Sequence, residues 1–117
     1  METLNKEELV TVEFEGWTCF VKLGQYENGR TSISLMDIDD GCPVARATSN
    51  IPHAELEENE TLIKDYSENE GMLNSLIETG LVKYTGKNIK SGWIELPVVT
   101  ILFDANNTFN HCLLKTK

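Results

Sequence analysis

The sequence predicts an α+β domain: a curved, mainly antiparallel sheet of about five to seven strands packed on one short helix. Three observations predict it. The apolar stretches outside one segment alternate with a period of two or run as short β-branched blocks, which is the patterning of strands. Asn28-Gly29 and Asp40-Gly41 punctuate the first half as hairpin turns. Only Asp65 to Leu81 carries helix signals at both ends.

From the N-terminus, Val10, Val12 and Phe14 alternate with Thr11 and Glu13 in a first short strand, which Gly16 breaks. From Trp17 to Tyr26 the residues Trp17, Cys19, Val21 and Leu23 share one face, while Thr18, Lys22 and Gly24 take the other. Trp17 and Trp93 read as core anchors, because no basic residues interleave with them as a base-stacking platform requires. A type I′ turn at Asn28-Gly29 would set Glu27 opposite Arg30 as a cross-strand charge pair. With a second tight turn at Asp40-Gly41, three strands form a meander ending near Thr48. Residues 49–60 form a polar, acidic connection with room for one helical turn, and Thr61–Tyr66 is a short strand feeding the helix.

The helix is expected over Ser67 to Gly80. Ser67 and Glu70 have the spacing of a capping box, in which each side chain satisfies an orphan N–H of the first turn. Glu68 and Glu70 also suit the positive end of the helix dipole. Met72, Leu73, Leu76 and Ile77 make an apolar stripe that faces the sheet. Gly71 costs about 1 kcal/mol relative to alanine in a helix, and its lack of a side chain would let the helix lie close to the sheet. Gly80 supplies a left-handed residue at the C-terminus, with Leu81 folding back onto Leu76. Leu81–Thr85 is then a strand, Gly86–Gly92 a basic loop, and Trp93–Phe103 a β-branched buried strand in which Pro97 marks a bulge or an edge. Asn106-Asn107 turns the chain into a last strand, Phe109–Leu114.

A length of 117 residues suits a single domain, residues 1–117, with frayed ends at 1–8 and 115–117. Hydrophobic content of 40% and charged content of 25% argue against wholesale disorder. No apolar run approaches the roughly 20 residues that span a bilayer. Met1–Glu8 lacks the basic and apolar regions of a signal peptide, so a cytoplasmic protein without membrane contact is expected. Cys19, Cys42 and Cys112 are odd in number and widely spaced, which suits reduced, packed thiols. Cys112, near a chain end, is the first candidate for an exposed one.

The net charge of −9 is unevenly distributed. Residues 37–70 carry ten acids against Arg46 and Lys64, whereas residues 83–117 carry five lysines against Glu95 and Asp104. Such a chain is repelled by nucleic acid phosphates, and its natural partner is a protein with a basic surface. Asp39, Asp40, Glu55, Glu57, Glu58 and Glu60 are the candidate acidic partner-binding surface, and Lys87 and Lys90 a candidate anion-contacting loop. No catalytic, metal or cofactor site is expected. A calcium loop counted from Asp37 places Cys42 at position six and Thr48 at position twelve, where glycine and glutamate are needed. His53 and His111 lack partners at zinc spacing, and a Cys-His pair forms only if the fold brings Cys19 or Cys42 to a histidine.

Asn28-Gly29-Arg30, the run Ile63–Met72, Gly80 and Ser91-Gly92 together resemble a domain-of-unknown-function family of conjugative and phage-like elements in gut anaerobic bacteria. The resemblance covers roughly residues 15–103, and its specific part is Tyr66–Gly71. It implies an accessory protein of mobile DNA that blunts host defence, and it brings no catalytic residues. The expected function is non-enzymatic binding, as an inhibitor or decoy of a host nucleic-acid-handling enzyme, by a monomer or small homo-oligomer. The alternative is a structural protein that self-associates through an exposed strand, such as the one after Pro97.

Overall fold

The structure, a computed structural model, describes residues 8–103, 108–109 and 112–114. The expected turn at Asn106-Asn107, most of the expected frayed ends, and His111 lie outside the described residues. The fold is α+β and antiparallel throughout, as expected, with the described strands divided between two sheets. The first contains β1 (Thr11–Phe14), β2 (Trp17–Gln25), β3 (Thr31–Asp37), β4 (Pro43–Arg46), β9 (Thr108–Phe109) and β10 (Cys112–Leu113). Its order is β4-β3-β2-β10-β9, with β1 also paired to β2. The second contains β5 (Thr48–Ser49), β6 (Glu60–Ile63), β7 (Val82–Ser91) and β8 (Ile94–Ile101), in the order β5-β6-β8-β7. The helix α1 is Met72–Glu78.

The meander β2-β3-β4 forms, but its turns differ from expectation. Both central residues of a type I′ turn have positive φ, and that geometry occurs at Glu15-Gly16, where φ is 51° and 81° and Phe14 pairs with Trp17. At Asn28-Gly29 only Gly29 is left-handed. Its N–H donates to the Tyr26 carbonyl at 2.8 Å, and the Tyr26 N–H donates to the Arg30 carbonyl at 2.8 Å. This is a three-residue loop ending in a glycine bulge. Tyr26 rather than Glu27 therefore faces Arg30, and the expected charge pair is displaced by one residue. The β3–β4 loop is likewise longer than two residues. The Asp37 N–H donates to the Cys42 carbonyl across Ile38–Gly41, and the Asp40 side chain accepts the Cys42 N–H at 2.8 Å. Here the aspartates bind their own backbone.

The helix is shorter than expected and is capped by a different residue. Ser67 has φ +56° and begins a 3-10 turn, Ser67–Asn69, which Gly71 at φ +96° separates from α1. Neither Ser67 nor Glu70 caps α1. Asp65 Oδ1 instead accepts the Gly71 N–H at 3.1 Å and the Leu73 N–H at 3.0 Å. Gly71 is needed for its backbone angle rather than for close packing, because a Cβ there would meet nothing within 4 Å. Met72 and Leu76 are fully buried and Leu73 packs against the core, but Ile77 is 38% exposed, so the stripe is narrower than its sequence pattern. Gly80 is left-handed, and Leu81 is buried in the same core as Leu76, as expected.

Residues 86–90, expected in a loop, continue β7. The strand turns at Gly92-Trp93 and pairs Ser91 with Ile94. Thr85, Gly86 and Lys87 stand together opposite Val98, between the pairs Tyr84–Val99 and Asn88–Pro97. Pro97 thus sits beside a bulge in its partner strand. It also lies beyond the last β6–β8 pair, Leu62–Val98, so its missing N–H breaks no ladder there. Since β8 is paired on both sides, the strand after Pro97 has no free edge. The expected final strand is two: β9 and β10 pair antiparallel through Phe109 and Cys112.

The main core is built from both sheets and α1, and includes Val21, Ile33 and Leu35 of the first sheet, Ile63, Val82 and Val99 of the second, and Met72 and Leu76 of the helix. Burying each such side chain stabilises the fold by about 1.5–3 kcal/mol. A second, smaller core of Ile51, Ala54, Leu62, Leu96 and Val98 lies beneath the 50–59 connection, which contains turns but no helix. Arg30 holds that connection, donating from Nη1 to the Ile51 carbonyl at 2.8 Å and from Nη2 to the Ala54 carbonyl.

Candidate partner-binding surface

Strand β3 measures the separation of the expected acidic residues. Asp39 and Asp40 follow its end at Asp37. Glu55, Glu57 and Glu58 belong to the connection held at its other end, where Arg30 reaches Ile51 and Ala54 and Asn28 Nδ2 donates to Asn50 Oδ1 at 3.3 Å. The six rises of about 3.4 Å from Thr31 to Asp37 place the two groups about 20 Å apart. The exposed acids therefore form two patches rather than one.

Glu60 belongs to neither. It is 7% exposed, and its carboxylate accepts the Glu57 N–H at 2.9 Å and faces Lys87 Nζ at 3.3 Å. The first residue of β6 points inward, so its charge is met inside the fold. The same pairing commits Lys87. Lys90 stands directly opposite Glu95 across the β7–β8 ladder, so both lysines of the expected anion-contacting loop sit beside carboxylates on a strand.

The residue that completes the Asp39-Asp40 patch is Trp17, which alternation placed in the core. It is 49% exposed, at the start of β2 immediately after the Glu15-Gly16 turn. Shallow hollows of about 200 and 320 Å³ open on its two sides. Asp37, Asp40 and Cys42 line the first; Glu15, Glu68 and Asn69 line the second. Four carboxylates thus border the indole, and one of them, Glu68, has Lys64 Nζ at 3.2 Å. The Glu68 carboxyl lies below its ordinary range because its own backbone N–H and then Lys64 stabilise the charge. Trp93, the other expected core anchor, is fully exposed at the β7–β8 turn. The available signal for Trp17 was its place at a strand end beside a turn, where the covering layer runs out.

The thiols near this surface are held protonated. Cys42 is exposed, and its pKa is raised by a hydrogen bond to Asp40 and by the charges of Asp40 and Asp37. Cys19, fully buried beneath, is pushed up to about 11 by burial and then by Asp37 and Glu13. Cys112, expected to be the exposed thiol, is half-buried; burial raises its pKa and Lys22 opposes the rise. His53 is exposed in the connection, at the opposite end of β3 from Cys42. No group of three or more His, Cys, Asp or Glu among the described residues is placed to hold a metal ion. No helix among them is long and apolar enough to cross a membrane.

An exposed indole bordered by carboxylates can engage a lysine or arginine in two ways, through its π-face and through ion pairing at the rim. The chain matches no family model, no curated protein and no solved structure in comparisons with each.

Proposed function

We propose that this protein is a non-enzymatic binding protein that engages a basic protein surface through Trp17 and the acids around it. The supporting observation is the half-exposed indole between hollows bordered by Glu15, Asp37, Asp40 and Glu68. Aromatic residues that fill a partner's pocket carry a disproportionate share of binding energy, while surrounding charges set encounter rate and selectivity. A net charge of −9 steers the chain toward cationic surfaces. A groove that normally accepts nucleic acid phosphates is such a surface. The resemblance carried by Tyr66–Gly71 points to an accessory protein of a mobile element acting against a host nucleic-acid-handling enzyme.

The test uses tryptophan fluorescence in a Trp93→Phe background, which leaves Trp17 as the sole tryptophan. Titration with an arginine- and lysine-rich peptide should shift Trp17 emission saturably, and the effect should weaken steeply as salt rises. Paired Asp37→Asn and Asp40→Asn substitutions should weaken binding, whereas neutralising Glu55, Glu57 and Glu58 should leave this response unchanged. Binding that is insensitive to salt, or equal in the Asp37/Asp40 variant, overturns the assignment.

A further inference from the structure

On β2, Cys19 and Val21 face the core, so Lys22 points to the opposite face of the sheet. Directly opposite residues in antiparallel strands share a face. Lys22 pairs with Ser34, and Ser34 pairs with Arg46, so one row across β2, β3 and β4 reads lysine, serine, arginine. In the next row Gly24 pairs with Ser32. An open hollow of about 440 Å³ covers these residues, and no carboxylate lines it.

This is an unusual concentration of positive charge in a chain of net charge −9. Three other cations are engaged, Arg30 with carbonyls, Lys64 with Glu68 and Lys87 with Glu60, while Lys83 and Lys90 stand apart on β7. Among the described residues, the heads of Lys22 and Arg46 have no hydrogen-bond or ion-pair partner. Their strands are two spacings apart, about 9.6 Å, and both long stems can bring their heads over the Ser34 hydroxyl between them. Gly24 keeps the floor open. A Cβ there would come within 2.8 Å of Ser32 Oγ and force that hydroxyl to turn. Glycine within a strand marks a bulge, a bend or a place where a ligand or another backbone approaches closely. The β2–β3 register across Gly24 is unbroken, without a bulge.

We propose that this hollow binds a phosphate-class oxyanion. Arg46 supplies the planar fork, Lys22 the second positive charge, and the Ser34 and Ser32 hydroxyls neutral donors at the floor. The site lies on a different face from Trp17 and does not depend on the function proposed for that surface.

The test is an amide NMR titration of the full chain with inorganic phosphate, against sodium chloride at matched ionic strength. Saturable shifts confined to Lys22, Gly24, Ser32, Ser34, Arg46 and their neighbours are expected. Arg46→Gln and Lys22→Gln should each weaken binding at least about tenfold, the scale of one charge-assisted hydrogen bond. Gly24→Ala should also weaken it while leaving the charge unchanged, which separates a shaped site from simple attraction. Glycerol phosphate and a nucleoside monophosphate form the second arm: tighter binding than free phosphate assigns the site to an ester, and equal or weaker binding assigns it to the free ion. Shifts that chloride reproduces, or affinity unchanged in both Gln variants with well-dispersed spectra, overturn the proposal.

Discussion

Asp65 Oδ1 accepts the Leu73 N–H at 3.0 Å and so caps the helix from eight residues upstream. The same oxygen takes the Gly71 N–H, satisfying two donors that the first turn cannot pair internally. Ser67, which occupies the expected capping position, belongs to the separate 3-10 turn that precedes Gly71.

The two candidate caps therefore respond differently to substitution. Asp65→Ala should destabilise the fold by about 1–2 kcal/mol, the usual cost of losing a side-chain cap. Ser67→Ala should change it by no more than about 0.5 kcal/mol. Urea unfolding of the two variants measures this, and a larger loss from Ser67→Ala would restore the capping box.

Glu60 and Lys87 form an asymmetric pair. Glu60 is buried and also accepts a backbone N–H, while the Lys87 side chain remains 55% exposed. Glu60→Ala should cost about 1–3 kcal/mol, because it strands the Glu57 N–H and removes a packed side chain. Lys87→Ala should cost about 1 kcal/mol or less. Denaturation midpoints measured side by side distinguish them.

Cys42 should be the first thiol modified by iodoacetamide, with Cys112 slower and Cys19 reacting only on unfolding. Accessibility and acidity act in opposite directions at Cys42. Asp40 favours the neutral thiol, so at pH 8 less of it is thiolate than for a free cysteine. Asp40→Asn should lower its pKa and speed alkylation, read as mass shift against time.

Cys19 makes stability fall in alkaline solution. Its folded pKa of about 11 lies above the ordinary 9.0, so the folded state retains a proton that the unfolded chain releases. The stabilisation is complete below pH 9 and declines as pH rises toward 11. Thermal melts from pH 8 to 11 should show a steeper fall for the wild type than for Cys19→Ala, which lacks the titrating group.

The meander, the helix position and the strand after Trp93 were legible because each follows from local periodicity or from a local turn signal. What stayed hidden depends on longer range. Asn28-Gly29 suits both a type I′ turn and a glycine bulge, and the dipeptide does not record which residue pairs with Arg30. The Asp65 cap has no fixed spacing in sequence, so Ser67 and Glu70, which do, attracted the assignment. Alternation correctly placed Trp17 on the side of Cys19 and Val21, but it does not mark where the covering layer ends. The two acidic patches depend on which end of β3 each loop meets, and only the fold determines that. Gly86 and Lys87 read as loop because three bulged residues break the period of two.

That bulge has a consequence for how the molecule coexists with its own copies. Strand β7 lies at the rim of the second sheet, where an unbroken ladder would invite a neighbour to dock and extend it. Thr85 turns its hydroxyl inward to the Val98 carbonyl, and Tyr84 Oη donates to Asn88 Oδ1 at 2.7 Å across the kink. The outward groups of the rim consequently fall out of step at mid-length. An approaching strand could register with one half or the other but not with both, so growth into stacked fibrils is obstructed by the backbone itself.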